Sequence, residues 1–334
     1  MNALVVRDAA IGDLIMATPV ISSLARRGYD VHVACKKYAG DAVLAGNPNV
    51  TMAHELDRQE SHEARIARIN AIASKCKADL VLDLAGTCES RFLFSEGSTG
   101  YTKPLSWRRA NAKGHNYYNF QAQTVGDHAT RGELYVSREE EKWWMRFRSM
   151  KLGVRLVQVQ LTGSSICKVY PWWPTVIKGL QRDPRVLVIL TGDPGLGQIL
   201  GLGAVEEGCD PTRIWQTCGD PKVSLRSALV MTRFVDLVMG PETGILNAAG
   251  CFGVPKVLLL SHSSAENISA GWDNCIALQP EATCSPCYRL VSPGAPCDRV
   301  TEEEDPDIAG AARCMATISP ERILTAAEIL KGKR

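Results

Sequence analysis

Asp13 stands at the start of a helix-like run, in the loop RDAAIGDLIMATP (7–19) that follows a short apolar stretch. A carboxylate in that place has two readings. It is a first-turn partner of the helix dipole, worth about 0.5–1 kcal/mol, or a general base that takes a proton from a hydroxyl held at ~2.6–3.2 Å. A second loop, TGSSICKVYPWW (162–173), runs through Gly163, Ser164 and Ser165 to Lys168, ahead of Pro171. Backbone N–H groups and hydroxyls of such a loop hold phosphate oxygens, and a lysine adds a point charge. The G-x4-G-K-[ST] spacing of a P-loop is absent, and the plain alternative is a solvated lysine in a βα connection. A third loop, GPETGILN (240–247), sets Glu242, Thr243 and Gly244 at a helix start. There the N–H groups of Thr243 and Gly244 make an anion site, and Glu242 can accept from ligand hydroxyls. Taken alone, this loop is also an ordinary βαβ turn.

Elements of one kind position all three loops. Strand-like apolar runs at 3–7, 31–35, 50–56 and 80–86 alternate with helical spacing at 14–24 and 60–77. The alternation restarts near residue 150, with runs at 155–161, 185–192, 234–240 and 255–260 and helical stretches at 172–182, 223–231 and 244–252. This pattern predicts two Rossmann-like parallel-sheet domains, 1–150 and 151–318. Residues 137–153 read as a helix with an acidic first turn that carries the chain to the domain junction. A capped amphipathic helix at 320–330 closes the chain, and 319–334 is expected to pack back on the N-terminal domain. Doubly wound sheets bind ligands beyond the carboxyl ends of their strands, so the two domains are expected to face a central cleft.

The chain has 334 residues, 45% hydrophobic and 22% charged, with 38 Lys+Arg against 36 Asp+Glu. That balance excludes a disordered tail protein, and it weighs against a nucleic-acid binder, which needs a strongly basic domain. The N-terminal residues lack the charged and apolar regions of a signal peptide, and no apolar run approaches ~18 residues, so the expected location is cytoplasmic. Eight of the 12 cysteines (Cys35, Cys76, Cys88, Cys167, Cys209, Cys218, Cys251 and Cys275) are scattered and read as buried thiols acting as small hydrophobes. Cys284, Cys287, Cys297 and Cys314 have the spacing C-x2-C-x9-C-x16-C, either a structural zinc site or four reduced thiols in a surface loop. The stretch KPLSWRRANAKGHNYYNF (103–120) offers Arg108, Arg109, Lys113 and His115 to an anionic acceptor, the alternative being a solvated loop. Trp143 and Trp144 read as core or interdomain packing.

The strings IGDLIMATPVISSLARRG, SLRSALVMTRFVDLVMGPETGILNAAGCFGVPKVLLL and CSPCYR resemble the ADP-heptose:lipopolysaccharide heptosyltransferase family, inverting glycosyltransferases of GT-B fold. The resemblance runs in order through nearly the whole chain and is weakest over 87–150. It rests on an N-terminal R-x4-G-D-x5-P, a lysine followed closely by Pro and Trp, and a D-T-G-x2-H-x-A loop. It implies that Asp13 is the base, that Gly12 beside it contacts the donor, and that Lys168 is the phosphate-binding cation. It further implies that Ser164 and Ser165 contact the diphosphate, that Val223 lines an adenine pocket, and that Glu242, Thr243, Gly244 and Asn247 hold the sugar and phosphates. Glu242 stands where the family has Asp and Asn247 where it has His, which changes reach and charge at both positions. The implied donor is a nucleotide-diphospho-sugar of the ADP-heptose kind and the implied acceptor a saccharide or glycolipid. No catalytic metal is implied. The chain is expected to be a monomer, and a glycolipid acceptor implies peripheral contact with the inner membrane. Two alternatives stay open: the same chemistry on another acceptor, such as a modified nucleobase in DNA or a protein, and a non-catalytic sugar-nucleotide-binding module.

Overall fold

A computed structural model describes residues 1–8, 10–56, 61–84, 110–195, 203–205, 207–288 and 310–333. The chain divides into two units, Met1–Arg138 with Glu266–Gly271, and Glu139–Ala265 with Trp272–Arg334.

The first unit carries β1 (Asn2–Val6), α1 (Ile11–Arg26), β2 (Asp30–Cys35), α2 (Lys37–Val43), β3 (Met52–Glu55), α3 (His62–Lys75) and β4 (Leu80–Asp83). Its four strands lie in the order β3-β2-β1-β4, all parallel. Ala3, Leu4, Val5 and Val6 of β1 are fully buried, as a central parallel strand covered on both faces requires. Pro19 lies inside α1 and cannot donate to the Ile15 carbonyl; the Thr18 hydroxyl donates to that carbonyl at 2.7 Å instead. Farther on, α4 (Tyr117–Ala122) is capped by Asn116, whose Oδ1 accepts from the N–H groups of Tyr118 and Asn119. The excursion Glu266–Gly271 is sewn in by Asn267, whose Nδ2 donates to the Ala112 and His115 carbonyls at 2.9 and 2.8 Å.

The second unit opens with α5 (Arg138–Ser149) and continues through β5 (Arg155–Gln160), α6 (Trp173–Leu180), β6 (Val186–Thr191), β7 (Ile214–Gln216), α7 (Leu225–Met231), β8 (Leu237–Pro241), α8 (Gly244–Cys251), β9 (Lys256–Leu259), β10 (Cys275–Leu278) and α9 (Pro320–Ile329). The six strands are parallel in the order β10-β9-β8-β5-β6-β7. This is the doubly wound order of a dinucleotide-binding sheet, and its direction of winding reverses between β5 and β8. Val157, Val159, Leu190, Met239 and Leu259 fill the sheet faces, with Trp173 and Tyr170 packed edge to face beside them.

Two expectations are corrected. The boundary between units lies at residue 138 rather than 150, because α5 belongs to the second unit. Trp144 stacks on Phe234, Arg148 pairs with Asp236 at 2.6 Å, and Arg226 pairs with Glu140 at 2.7 Å. Trp143 is not packed away: it stacks on Phe147 yet stays 55% exposed. The closing helix α9 packs within its own unit. Its buried stripe of Ile323, Ala326 and Ala327 joins the core of the second sheet, Leu324 lies against Gly179 of α6, and Arg155 of β5 donates to the Ala327 carbonyl at 3.1 Å. Among the described residues no helix is long and apolar enough to cross a membrane.

Candidate active site

In the second unit the loops leaving β5 and β8 are neighbours because the winding reverses between those strands. Such a reversal opens a crevice at the carboxyl ends where ligands of doubly wound sheets sit. Two glycines let the parts approach. A Cβ on Gly240 would fall 2.6 Å from Gln160 Cβ, so β8 can lie against the end of β5 only without a side chain there. A Cβ on Gly163 would fall 2.7 Å from both Cβ and Cδ of Lys168 and 3.1 Å from Thr243 Cγ2. The Lys168 stem therefore crosses Gly163 toward the loop that starts α8.

That loop is held from beneath by Glu242, only 5% exposed. Its Oε1 accepts from the Ser261 N–H at 2.6 Å and its Oε2 from the Ser263 hydroxyl at 2.5 Å, with His262 Nδ1 3.3 Å from Oε2. Burial alone would push this carboxyl up. The positive charges of His262 and Lys168 and the two hydrogen bonds outweigh it and hold the group below the usual carboxylate range. Thr243 is the N-cap of α8 in extended geometry, and its Oγ1 is buried without a partner among the described residues. Gln160 Oε1, at the end of β5, is likewise buried and unpartnered. Asn247, also buried, turns inward: its Nδ2 donates to the Thr243 carbonyl at 2.8 Å, beside its own backbone bond to that oxygen. Ser164 is exposed, Ser165 lies 3.0 Å from Cys167 Sγ through its hydroxyl, and Val223 is half-buried one residue before the Ser224 cap of α7. The arrangement offers an ammonium, a helix N-terminus and orphaned hydroxyl and amide oxygens at the carboxyl ends of the two central strands, the equipment for holding a phosphorylated polyol.

In the first unit the corresponding reversal lies between β1 and β4. Asp13 is in the first turn of α1, next to Gly12. Its Oδ1 accepts from Arg7 Nη2 at 2.7 Å and its Oδ2 from the Ala10 N–H at 3.1 Å. Arg7 is buried and also donates to the Leu84 carbonyl at 3.2 Å, which ties the ends of β1 and β4 together. The Asp13 side chain keeps 22% of its surface exposed. Each carboxylate oxygen has a second lone pair, so the group closes its own helix and can still accept a proton. Sequence reasoning missed the partners here. Arg65 of α3 bridges Asp8 at 2.6 Å and takes Asp83 in a two-pronged grip at 2.9 and 3.0 Å. Arg7 and Asp8 were visible as charges directly after a strand, but nothing local pointed to Arg65 or Asp83.

Other predicted residues do not gather. Lys113 is exposed just before α4, and Arg108 and Arg109 lie outside the described residues. Cys284 and Cys287 are half-buried, whereas Cys314 packs in the core with Met315 and Ile318; Cys297 lies outside the described residues. Among the described residues no three metal-ligating side chains are brought together, so Cys284, Cys287 and Cys314 do not gather there as the zinc alternative would need. Of the scattered thiols, Cys35, Cys76, Cys167, Cys209 and Cys218 are buried, Cys251 and Cys275 are half-buried, and Cys88 lies outside the described residues.

Neither a protein-family model nor a curated protein matches the chain. Solved structures do. A glycosyltransferase family 9 protein from Veillonella parvula superposes with a TM-score of 0.67 at 17% identity, covering 98% of this chain and 96% of that one. The E. coli ADP-heptose LPS heptosyltransferase II gives 0.63 at 15% identity, covering 99% and 98%. The E. coli heptosyltransferase WaaC, in a structure with ADP, gives 0.58 at 13% identity, covering 99% and 100%. With its two parallel sheets, one in each unit, the chain has the GT-B-type α/β fold of these heptosyltransferase structures over nearly its whole length.

Proposed function

We propose that the protein is an inverting glycosyltransferase that moves a sugar, of the heptose class, from a nucleotide-diphospho-sugar to a hydroxyl of a saccharide or glycolipid. The observation that carries this reading is the crossing of Lys168 over Gly163 toward Thr243, where the N-terminus of α8 begins. A departing nucleoside diphosphate gains negative charge as the glycosidic bond breaks, and a fixed ammonium beside helix N–H groups stabilises charge that develops there. Fold likeness to a WaaC structure with ADP supports an adenine nucleotide as the donor's leaving group.

In this reading Asp13 removes the proton of the attacking acceptor hydroxyl. Arg7 keeps its carboxylate aimed through Oδ1, and the Ala10 N–H fixes Oδ2. The acceptor oxygen bonds to the anomeric carbon as the diphosphate oxygen leaves from the opposite face, which inverts the configuration. Glu242 acts as the buried anchor of the α8 loop, and the orphaned Thr243 hydroxyl is the group that meets the donor. The test is calorimetry with ADP-, UDP-, GDP- and CDP-sugars, together with nucleoside-diphosphate release in the presence of glycolipid, saccharide and DNA acceptors. Selective ADP-sugar binding with release dependent on glycolipid or saccharide is expected. Release driven by DNA moves the acceptor class, and binding of none of the four overturns the proposal.

A further inference from the structure

The polar oxygens at the carboxyl ends of β5 and β8 differ in what they can bond. Gln160 is the last residue of β5, and 8% of its surface is exposed. Its Nε2 donates to the Thr162 carbonyl at 2.6 Å, which fixes the orientation of the amide: turned over, it would set one acceptor oxygen against another. The remaining oxygen, Oε1, is buried with no partner among the described residues. Gly240 leaves room for this side chain, since a Cβ there would fall 2.6 Å from Gln160 Cβ and 3.1 Å from Leu246 Cδ2 of α8. Gln160 therefore leaves its strand on the side covered by α8, the helix that begins at Thr243, whose own hydroxyl is unpartnered among the described residues. Gln158, two residues back on the same face of β5, is the contrast. Its Nε2 donates to the Ala228 carbonyl of α7 at 3.1 Å and its Oε1 also lacks a partner among the described residues, but none of it is exposed. Gln158 ends in the core beneath α7, and Gln160 ends at the crevice.

A neutral amide oxygen only accepts. Diphosphate oxygens at neutral pH are acceptors as well, so they satisfy the Lys168 ammonium and the N–H groups that start α8 but give Gln160 Oε1 nothing. The Thr243 hydroxyl can donate to a phosphate; the group that fits Oε1 is an O–H. Folding has already taken water from this oxygen, so a hydroxyl that reaches it gains a bond in a low-dielectric place without a second cost of drying the acceptor. We infer that Gln160 is a specificity-determining residue of the donor site, whose Oε1 accepts from one hydroxyl of a nucleotide sugar while Lys168 and Thr243 face its diphosphate. The assignment rests on the proposed function, and it names what that site reads besides charge. Ribose and the transferred sugar both carry hydroxyls, and the chemistry at Oε1 is the same for either. A donor with a deoxy position there forms no such bond and leaves the amide as it stands in the free chain.

Calorimetry on the intact chain and on Gln160→Met tests this with ADP, 2′-deoxy-ADP, 3′-deoxy-ADP, ADP-heptose and the monodeoxy forms of its heptose. Methionine matches glutamine in length and has no amide. One hydroxyl is expected to stand out on the parent chain, where removing it weakens binding about tenfold. On Gln160→Met the same removal should cost less than about twofold, which makes the hydroxyl and the amide a coupled pair rather than two separate contributions. A deoxy sugar that behaves this way assigns the transferred sugar, and a deoxyribose assigns the ribose; both uphold the inference. Losses on Gln160→Met that are equal for every ligand, or absent, overturn it, and ADP binding to the parent then shows that the proposed donor site stands. A parent that binds none of these ligands overturns both. Gln160→Leu, checked for fold by circular dichroism, repeats the comparison if methionine disturbs the end of β5.

Discussion

The carboxyl ends of the two sheets solve the same problem with different materials. In the first unit Arg7, Asp13, Asp8, Arg65 and Asp83 form partly exposed ion pairs between 2.6 and 3.0 Å. In the second, one buried carboxylate, Glu242, gathers a backbone N–H, a hydroxyl and an imidazole beneath a loop whose Thr243 hydroxyl has no partner among the described residues. A group that must gain and lose a proton benefits from water and from a partner that fixes its direction, which describes Asp13 with Arg7. A loop that must hold an anion of constant charge benefits from rigidity beneath it and free donors above. The first arrangement suits proton transfer and the second suits binding, so substitutions in the two regions should separate turnover from affinity.

The largest effect is expected from Asp13→Asn, which keeps the side chain's size and one of its two acceptor contacts but cannot take a proton. Turnover should fall ~10²–10⁴-fold, while the donor Kd from calorimetry changes only a few fold. A variant that turns over at the parent rate removes Asp13 from the reaction. Lys168→Met should act in both columns, lowering kcat on the order of 10²-fold and weakening donor binding as well. If donor affinity is untouched, the diphosphate lies elsewhere. Gly163→Ala forces the Lys168 stem aside, since its Cβ would sit 2.7 Å from that side chain. A loss on the order of tenfold in donor affinity is expected, with stability reduced far less than affinity.

Glu242→Gln tests the anchor. The parent carboxyl is lowered on folding from its ordinary 4.5, so the stability it contributes is full above that value and is lost as pH falls toward the folded value. The amide variant should lose about 1–3 kcal/mol at pH 7 by urea unfolding and show a flatter acid limb. An unchanged acid limb would mean that Glu242 does not carry that dependence. The smallest effect belongs to Asn247→Ala. The Thr243 carbonyl keeps its backbone bond, so a loss of about 0.5–1.5 kcal/mol is expected, with donor Kd nearly unchanged.

Much of the fold was legible because central parallel strands are written as nearly continuous apolar runs. LVV in β1, LVQV in β5, VLVIL in β6 and VLL in β9 needed no tertiary information. The short edge strands were not legible: β7 is Ile-Trp-Gln and β10 is Cys-Ile-Ala-Leu, too brief for a period to register. The site divided in the same way. Asp13, Lys168 and Glu242 announced themselves as polar groups just past strands. Their partners did not, because Arg65 meets Asp8 across 57 residues and Ser261 meets Glu242 across 19, and only the sheet order brings them together. The expectation that Glu242 faces a ligand overlooked how many donors of the chain itself converge on it.

The segment Glu266–Gly271 has a bearing on how the protein is born. The chain leaves the first unit at residue 138 and gives it six more residues only after about four fifths of the sequence has been made. Until Asn267 emerges, the Ala112 and His115 carbonyls lack the amide that later donates to them. At synthesis rates of ~5–20 residues per second that interval lasts roughly ten seconds. The N-terminal unit thus leaves the ribosome unfinished, and its last stitch arrives as a segment set within the sequence of the other unit.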